Sequence, residues 1–183
     1  QSPQMFSEDA KRSYAAEAPD LDNDGMPDLI VTNNGSPLQL FHNRIAQGQG
    51  MVQVSNWLPP YLRNCGGRCL KKALAVGDFN NDGLVDIAVG SAKEGINDIL
   101  FNNIGRPNAP ASCPANLCAE RRLISAKHEL GIDLAFPTNQ SWNAQLGKKA
   151  PVDGGGRNFI RTLRTAFVDG DDRIDLVVAA GFL

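Results

Sequence analysis

The sequence has little net charge and no long apolar run. Its 18 basic residues nearly balance its 20 acidic residues, which gives a formal net charge of -2 over 183 residues. Such a balance creates no overall field that would favour nucleic acid or an anionic membrane surface. No segment approaches the roughly 18 consecutive apolar residues of a membrane-spanning helix, and the opening residues, QSPQMFSEDAKRS, lack the apolar core of a signal peptide.

Residues that commonly carry catalysis are also scarce. The two histidines are His42, expected on a sheet face, and His128, expected to face solvent. A serine hydrolase would need a nucleophile elbow such as G-x-S-x-G, and the sequence contains none. The basic pairs at 71–72 and 121–122 lack interleaved aromatic residues, so we interpret them as solvated faces. The sequence therefore predicts a protein that is not an enzyme and does not bind nucleic acid.

What the sequence does contain is an aspartate-rich repeat. Three segments place oxygen-bearing side chains at alternate positions, followed by an aspartate and an apolar, strand-like run. They are DLDNDGMPDLIVTNNG from Asp20, DFNNDGLVDIAVGSA from Asp78 and FVDGDDRIDLVVAAG from Phe167. The third follows the second after a longer gap than separates the first two, which indicates an insertion.

The spacing of these oxygens predicts calcium binding. Calcium takes about six to eight oxygen ligands, and a loop with carboxylates or amides at positions 1, 3, 5 and 9 and a carbonyl at position 7 can wrap one ion. The predicted ligands are Asp20, Asp22, Asp24, the Met26 carbonyl and Asp28 in the first loop; Asp78, Asn80, Asp82, the Leu84 carbonyl and Asp86 in the second; and Asp169, Asp171, the Arg173 carbonyl and Asp175 in the third.

The third loop departs from the pattern of the other two. Phe167 stands where the first ligand belongs and Asp172 replaces the glycine, so the sequence predicts two calcium sites and a weakened third. An EF-hand would need a glutamate at position 12, where Val31 and Val89 stand inside β-branched runs, so that fold is excluded. The remaining alternative is that the loops are ordinary turns that hold no metal.

Short strand-like segments follow the loops, which indicates an all-β protein. Alternating apolar residues and turn signals predict strands at 29–32, 38–43, 51–55, 86–89 and 98–102. The sequence divides into a first blade-like repeat at 1–65 with its loop at 20–28, a second at 66–102 with its loop at 78–86, and a third, incomplete repeat at 157–183 with its loop at 167–175. Residues 103–156 form an irregular insertion rich in Cys, Pro and Gly, with a short helix expected near Ala119 to Leu130.

Three segments carry a resemblance to a known family. They are ALAVGDFNNDGLVDIAVG, DLDNDGMPDLIV followed by LQLFHN, and RTAFVDGDDRIDLVVAAG. This pattern resembles the FG-GAP/VCBS repeats of integrin α-chain propellers and of many secreted and surface proteins. The resemblance implies β-propeller blades in which one strand leads into a calcium loop and the next strand follows at once.

The resemblance implies a calcium-stabilised scaffold for protein–protein interaction or adhesion. Because a propeller needs about four to eight blades to close, three loops predict a partial propeller whose other blades come from the same longer chain or from other subunits. A glycan-binding module is an alternative that depends on exposure of Trp57 or Trp142. A non-catalytic part of a polysaccharide-acting enzyme is a second alternative.

Cysteine and sequon patterns indicate a secreted or extracellular protein, with another oxidising, calcium-rich compartment as the alternative. The cysteine pairs in CGGRC at 65–69 and CPANLC at 113–118 lie in turn-rich segments and are expected to form disulfides, with a zinc site or free thiols as alternatives. Asn34 and Asn139 begin N-x-S/T triplets that are compatible with glycosylation. The sequence thus predicts a secreted protein.

Overall fold

Nearly all the regular secondary structure in the described part of the chain is β-strand. The computed structural model describes residues 13–64, 71–91, 98–104, 122–132, 159–171 and 173–181. The strands are β1 (Ser13–Glu17), β2 (Leu29–Asn33), β3 (Gln39–Arg44), β4 (Gly50–Gln53), β5 (Lys71–Gly77), β6 (Asp86–Ser91), β7 (Asp98–Asn102), β8 (Leu123–Ser125), β9 (Phe159–Ala166) and β10 (Asp175–Gly181). One-turn helix α1 (Pro60–Arg63) and 3-10 turns at Ile45–Gln47 and Ser55–Trp57 complete the described elements. The all-β prediction is confirmed.

The strands form three antiparallel sheets. Their orders are β1-β2-β3-β4, β5-β6-β7-β8 and β9-β10, so each sheet follows the chain without a crossover. The three aspartate loops join β1 to β2, β5 to β6 and β9 to β10. Each loop is therefore the first hairpin connection of its sheet, and the strands predicted around the first two loops are present.

The helix expected near Ala119 to Leu130 is not formed in the described part of that segment. Residues Leu123–Ser125 are instead the strand β8, which pairs with β7 through partners such as Leu100 and Ser125. Leu123 and Ile124 are consecutive and both buried, which suits a strand covered on both faces. The second sheet thus extends into residues 103–156, which the sequence had assigned to an irregular insertion.

The three sheets stack face to face in chain order. Ile30 and Leu40 of the first sheet share one apolar cluster with Ile87 and Leu100 of the second. The opposite face of the second sheet carries small residues, among them Ala88, and packs against the third sheet. The first strands adjoin one another, β1 against β5 and β5 against β9. The described strands make three stacked sheets and no closed ring.

Close contact between the second and third sheets depends on a missing side chain. A Cβ atom at Gly77, the last residue of β5, would lie 3.1 Å from Ile174 Cγ2 and 3.2 Å from Thr165 Cγ2. Both distances are shorter than an ordinary van der Waals contact. Glycine at this position therefore lets the loop end of the third hairpin approach the end of β5.

The structure also bears on the predictions for the tryptophans, the cysteines and membrane-spanning segments. Trp57 is buried, with its ring centroid 4.8 Å from that of His42, so it is not the exposed aromatic that the glycan-binding alternative needed. Trp142, Asn139 and both cysteine pairs lie outside the described residues. Within the ranges described, none of the helices has the length and hydropathy needed to span a membrane.

Candidate metal-binding loops

The first and second loops have the same backbone turn. Position 4 has a positive φ in both, 57° at Asn23 and 58° at Asn81. Position 6 repeats this conformation, with φ of 85° at Gly25 and 83° at Gly83. Asparagine and glycine are the residues that adopt the left-handed region most readily, so the N-D-G sequence shared by both loops fixes the path of the chain.

Backbone N–H groups hold the carboxylates at positions 1 and 5 over this turn. Asp20 accepts hydrogen bonds from the Asp24 N–H at 3.1 Å and the Gly25 N–H at 2.8 Å. Asp78 does the same in the second loop, at 3.0 Å and 2.8 Å from the equivalent N–H groups. The carboxylates of Asp24 and Asp82 each accept the N–H two residues later at 2.9 Å. The two loops therefore share these backbone hydrogen bonds as well as their sequence pattern.

The aspartate at position 9 lies beneath the loop and links it to the sheet. Asp28 and Asp86 are 1% and 0% exposed. Their Oδ2 atoms accept the N–H groups of Leu21 and Phe79, at 3.1 and 2.9 Å, within the same loop. Burial raises the pKa of Asp28, and it raises the pKa of Asp86 to about 7. A buried carboxylate of this kind needs a partner for its charge.

The other oxygen of each buried aspartate accepts a hydrogen bond from the third strand of its sheet. The Asn43 N–H donates to Asp28 Oδ1 at 2.9 Å, and the Asn102 N–H donates to Asp86 Oδ1 at 2.7 Å. The sequence identified these aspartates only as ligands. Their second role, joining the loop to a strand that follows it in the chain, is visible only in the folded structure.

The side chains of these two asparagines complete the link. Asn43 Nδ2 donates to the Pro27 carbonyl at 3.0 Å, and Asn102 Nδ2 donates to the Val85 carbonyl at 3.0 Å. Asn102 also donates to the Leu21 carbonyl, at 2.8 Å, and so ties the second sheet to the first loop. Sequence reasoning missed both asparagines. The sequence feature that could have identified them is the asparagine that ends both LFHN and ILFN. The two segments pair in the same register with the strand that follows the loop.

The first loop has a histidine close to its carboxylates. His42 Nε2 lies 3.2 Å from Asp22 Oδ2, within ion-pair distance but without hydrogen-bond geometry, and one ligand atom each from Asp22, Asp24 and His42 lie within 4.8 Å of one another. Arg44 Nε donates to His42 Nδ1 at 3.2 Å, so Nδ1 bears the lone pair and Nε2 bears the hydrogen. In this tautomer His42 is uncharged, and its Nε2 beside Asp22 has no lone pair to offer a metal ion.

The second loop has different residues at the positions of Asp22 and His42. Asn80 replaces the carboxylate of Asp22, and its Nδ2 donates to Asp82 Oδ2 at 2.8 Å. Phe101 occupies the strand position of His42. The second loop therefore has one negative charge fewer than the first and has no imidazole beside it.

The third loop keeps only part of this geometry. Gly170, with φ of 79°, takes the place of the position-4 asparagine, and Asp175 Oδ2 accepts the Val168 N–H at 2.7 Å. Arg173 N–H donates to Asp171 at 2.9 Å. Phe167 offers no carboxylate at position 1 and is 69% exposed. The structure thus preserves the turn and the final aspartate but not the first ligand.

The comparison with known families agrees with this geometry. The family model described as an FG-GAP-like repeat matches residues 20–89. This segment is therefore similar to an FG-GAP-like repeat. The match begins at Asp20, the first predicted ligand of the first loop, and extends through the second loop into β6. No curated protein and no solved structure matches the chain. FG-GAP-like repeats are generally not catalytic, and their occurrence suggests a protein-interaction scaffold.

A buried polar cluster joins the FG-GAP-like repeat to the residues after it. The Tyr61 hydroxyl donates to Asp98 Oδ2 at 2.6 Å, the Ser125 hydroxyl donates to the same oxygen, and the Lys127 N–H donates to Oδ1 at 3.0 Å. Asp98 is fully buried. Burial of the Tyr61 hydroxyl, together with the negative charge of Asp98, raises the pKa of Tyr61. The cluster fastens α1 to the edge of the second sheet.

His128 and Arg122 belong to the surroundings of this cluster. His128 is exposed, as expected, and its ring packs on Tyr61 with centroids 4.2 Å apart. Arg122 is not on a solvated face, which corrects the sequence interpretation: it is 6% exposed and forms a two-pronged ion pair with Glu129, at 2.7 and 2.9 Å. The arginine is buried because a carboxylate seven residues later compensates its charge.

Proposed function

We propose that this chain is a calcium-stabilised β-propeller scaffold that mediates protein–protein interaction or adhesion in an extracellular protein. The observation that carries the proposal is the repetition of one loop geometry twice within the FG-GAP-like repeat. Both loops hold oxygen side chains over a fixed turn, and both place the final aspartate in the interior. Such loops suit a hard cation with oxygen ligands.

The residues present fit a calcium ion. Asp22 Oδ1 is buried and accepts no hydrogen bond among the described residues, although it is a carboxylate oxygen. A buried, uncompensated anionic oxygen is costly, and a cation beside it would remove that cost. The donor set contains carboxylate, amide and carbonyl oxygens without sulfur, which matches calcium rather than a softer metal. The ion would be held by Asp20, Asp22, Asp24, Met26 and Asp28 in the first loop and by Asp78, Asn80, Asp82, Leu84 and Asp86 in the second.

Calcium would act here on stability rather than on chemistry. Binding to the folded state alone stabilises a protein by about 2.7 kcal/mol when the free ligand is 100-fold above its dissociation constant. Each loop joins the first two strands of a sheet, so an ion would hold the hairpin and offset the repulsion between its carboxylates. The third loop, which lacks a first ligand, would bind calcium more weakly.

Isothermal titration calorimetry tests the metal sites directly. The wild-type chain is expected to bind two calcium ions, Asp24→Ala and Asp82→Ala one each, and the double variant none with comparable affinity. Glu17→Gln, a change in β1 outside the loops, serves as the matched control and keeps both sites. A folded wild-type chain that releases or absorbs no heat on titration with calcium would refute the proposed sites.

The open arrangement of the described sheets supports the proposed scaffold role. The third sheet contributes two described strands, whereas the other two contribute four each. Its outer face carries Val177, which is 45% exposed. We propose that further blades, from the same longer protein or from other subunits, cover this face. A glycan-binding role loses support because Trp57 is buried.

A further inference from the structure

The connection between β2 and β3 contains the one Asn-Gly pair in the sequence, Asn34 and Gly35. Asn34 directly follows β2 and is partly exposed. Its side-chain amide makes no hydrogen bond in the described part of the chain. Gly35 has a φ of 74°, and a Cβ atom added there would have nothing within 4 Å. The main chain that follows the Asn34 amide is therefore not crowded by neighbouring atoms.

The preceding residue, Asn33, has the opposite environment. It is 0% exposed, and its Oδ1 accepts a hydrogen bond from the Ser13 hydroxyl at 3.0 Å. Its Nδ2 donates to Gln39 Oε1 at 2.9 Å and to the Pro37 carbonyl at 3.3 Å. One of two adjacent asparagine amides is thus held inside the sheet, whereas the other is open to water.

An asparagine followed by glycine can react with its own main chain. The main-chain nitrogen of the glycine attacks the side-chain amide carbon, and the new N–C bond closes a five-membered succinimide ring. The attacking nitrogen loses its proton to solvent, and the amide group leaves as ammonia. Water then opens the ring at either carbonyl, which gives aspartate or the β-linked isoaspartate. Glycine favours this attack because it has no side chain and adopts backbone conformations that other residues resist.

We propose that Asn34 is a site of spontaneous deamidation in the folded chain. Either product adds one negative charge at the end of the first sheet opposite its metal-binding loop, because successive connections of an antiparallel sheet lie at opposite ends. The isoaspartate product also lengthens the main chain by one carbon atom. This change falls directly after Asn33, whose amide joins β1 to β3 through Ser13 and Gln39.

The Asp-Gly pairs of the first two loops provide an internal comparison. They could close the same ring with loss of water, but their glycine nitrogens are held in place. The Gly25 N–H donates to Asp20 at 2.8 Å, and the Gly83 N–H donates to Asp78 at 2.8 Å. No side chain in the described ranges accepts the Gly35 N–H. The fold therefore protects the two loops and leaves Asn34 reactive.

The proposed modification goes beyond the scaffold role and does not depend on calcium. It does compete with glycosylation at the same residue, because Asn34 begins an N-x-S triplet. A glycan would occupy the amide nitrogen that must leave as ammonia. Only the chain without a glycan at Asn34 can therefore undergo the reaction.

Peptide mapping by mass spectrometry tests the proposal. The full, unglycosylated chain is incubated at mildly alkaline pH with EGTA, both folded and unfolded in guanidinium chloride, so that bound calcium protects neither loop. Deamidation at Asn34 in the folded chain is expected within about threefold of the unfolded rate, because the local opening free energy of such a segment is near zero. Isomerisation at Asp24 and Asp82 should be about 10- to 100-fold slower in the folded chain, the factor that one hydrogen bond to a charged group contributes.

Two variants and a neighbouring residue locate the reaction. Asn34→Gln should abolish the mass gain of its peptide, because glutamine would have to close a larger ring. Ser36→Ala removes the N-x-S triplet but keeps the Asn-Gly pair, so it should react at the wild-type rate. Asn33 should not react in the folded chain. A protease that cleaves at aspartate but not at isoaspartate separates the two products.

Three results would overturn the proposal. The first is a folded-state rate at Asn34 about tenfold or more below the unfolded rate, which would mean that the fold protects this residue. The second is a mass gain at Asn33 as fast as that at Asn34. The third is isomerisation of Asp24 and Asp82 as fast in the folded as in the unfolded chain, because the contrast between held and open glycine nitrogens would then have no effect on reactivity.

Discussion

Removing the Asn102 side chain should lower the free energy of unfolding strongly. It is 3% exposed, and its side chain makes three hydrogen bonds: Nδ2 to the Leu21 carbonyl at 2.8 Å, Nδ2 to the Val85 carbonyl at 3.0 Å, and Oδ1 from the Ile104 N–H at 2.7 Å. In Asn102→Ala all three backbone groups lose this partner. The main-chain bond from Asn102 to Asp86 is kept, so the change removes the side-chain links alone.

The expected loss of stability follows from those three bonds. A buried hydrogen bond contributes about 1 kcal/mol net, and a buried group left without a partner costs about 1–3 kcal/mol, so the variant should be destabilised by roughly 3 kcal/mol. With a urea m-value of about 2–3 kcal/mol/M, the unfolding midpoint should fall by about 1–1.5 M. Asn43→Ala removes two comparable side-chain bonds and should lose roughly 2 kcal/mol.

Urea unfolding followed by circular dichroism provides the assay. Asn56→Ala, which changes an exposed asparagine in a 3-10 turn, is the control and should shift stability by less than about 0.5 kcal/mol. If the free energy of unfolding of Asn102→Ala lies within that margin of the wild-type value at an unchanged m-value, the side-chain links of Asn102 do not stabilise the structure. That result would refute the prediction.

Three further predictions concern the loops and the polar cluster. Tyr61→Phe removes a 2.6 Å hydrogen bond to the buried Asp98 carboxylate and should cost about 1.5–3 kcal/mol in urea unfolding. Burial would raise the pKa of Glu129, but hydrogen bonds and the charge of Arg122 hold that pKa below its ordinary value. The ion pair therefore stabilises the fold at neutral pH, and this stabilisation is lost as the pH falls through the depressed pKa. The difference in unfolding free energy between wild type and Glu129→Gln should shrink in acid, and a difference that stays constant with pH would contradict the assignment. Gly83→Ala should lower stability by about 1–2 kcal/mol in thermal unfolding, because the φ of Gly83 is 83°, where an alanine is strained. The added Cβ atom would have nothing within 4 Å, so the cost comes from the backbone conformation and not from a steric clash. An unchanged melting temperature would argue against the left-handed turn.

The local features of the fold could be predicted from the sequence because they depend on residues close in the chain. The strands after the first two loops are LIVTN and DIAVGS, whose apolar runs predict β-structure. The N-D-G sequences of the two loops predict a turn with left-handed backbone. The strands around the first two loops are the part of the prediction that the structure confirms.

The features that were missed depend on partners distant in the chain. Asn102 and Leu21 are 81 residues apart, and Tyr61 and Asp98 are 37 residues apart, so no local pattern reveals either contact. β8 was read as helix because AERRLISAKHEL has helical composition, whereas pairing with β7 and burial on both faces decide its conformation. Tertiary packing overrides intrinsic propensity in such a short segment.

The loops and the sheets form one hydrogen-bonded system, and this bears on how a bound ion would act. Asp86 belongs at once to the second loop, through Phe79, and to the third strand of its sheet, through Asn102. Asn102 in turn contacts Leu21 of the first loop. A loop cannot loosen without releasing a buried carboxylate from a strand, and the second sheet cannot shift without disturbing the first loop. Ordering either loop should therefore stabilise both sheets, which is how a structural ion at the surface can strengthen packing in the core.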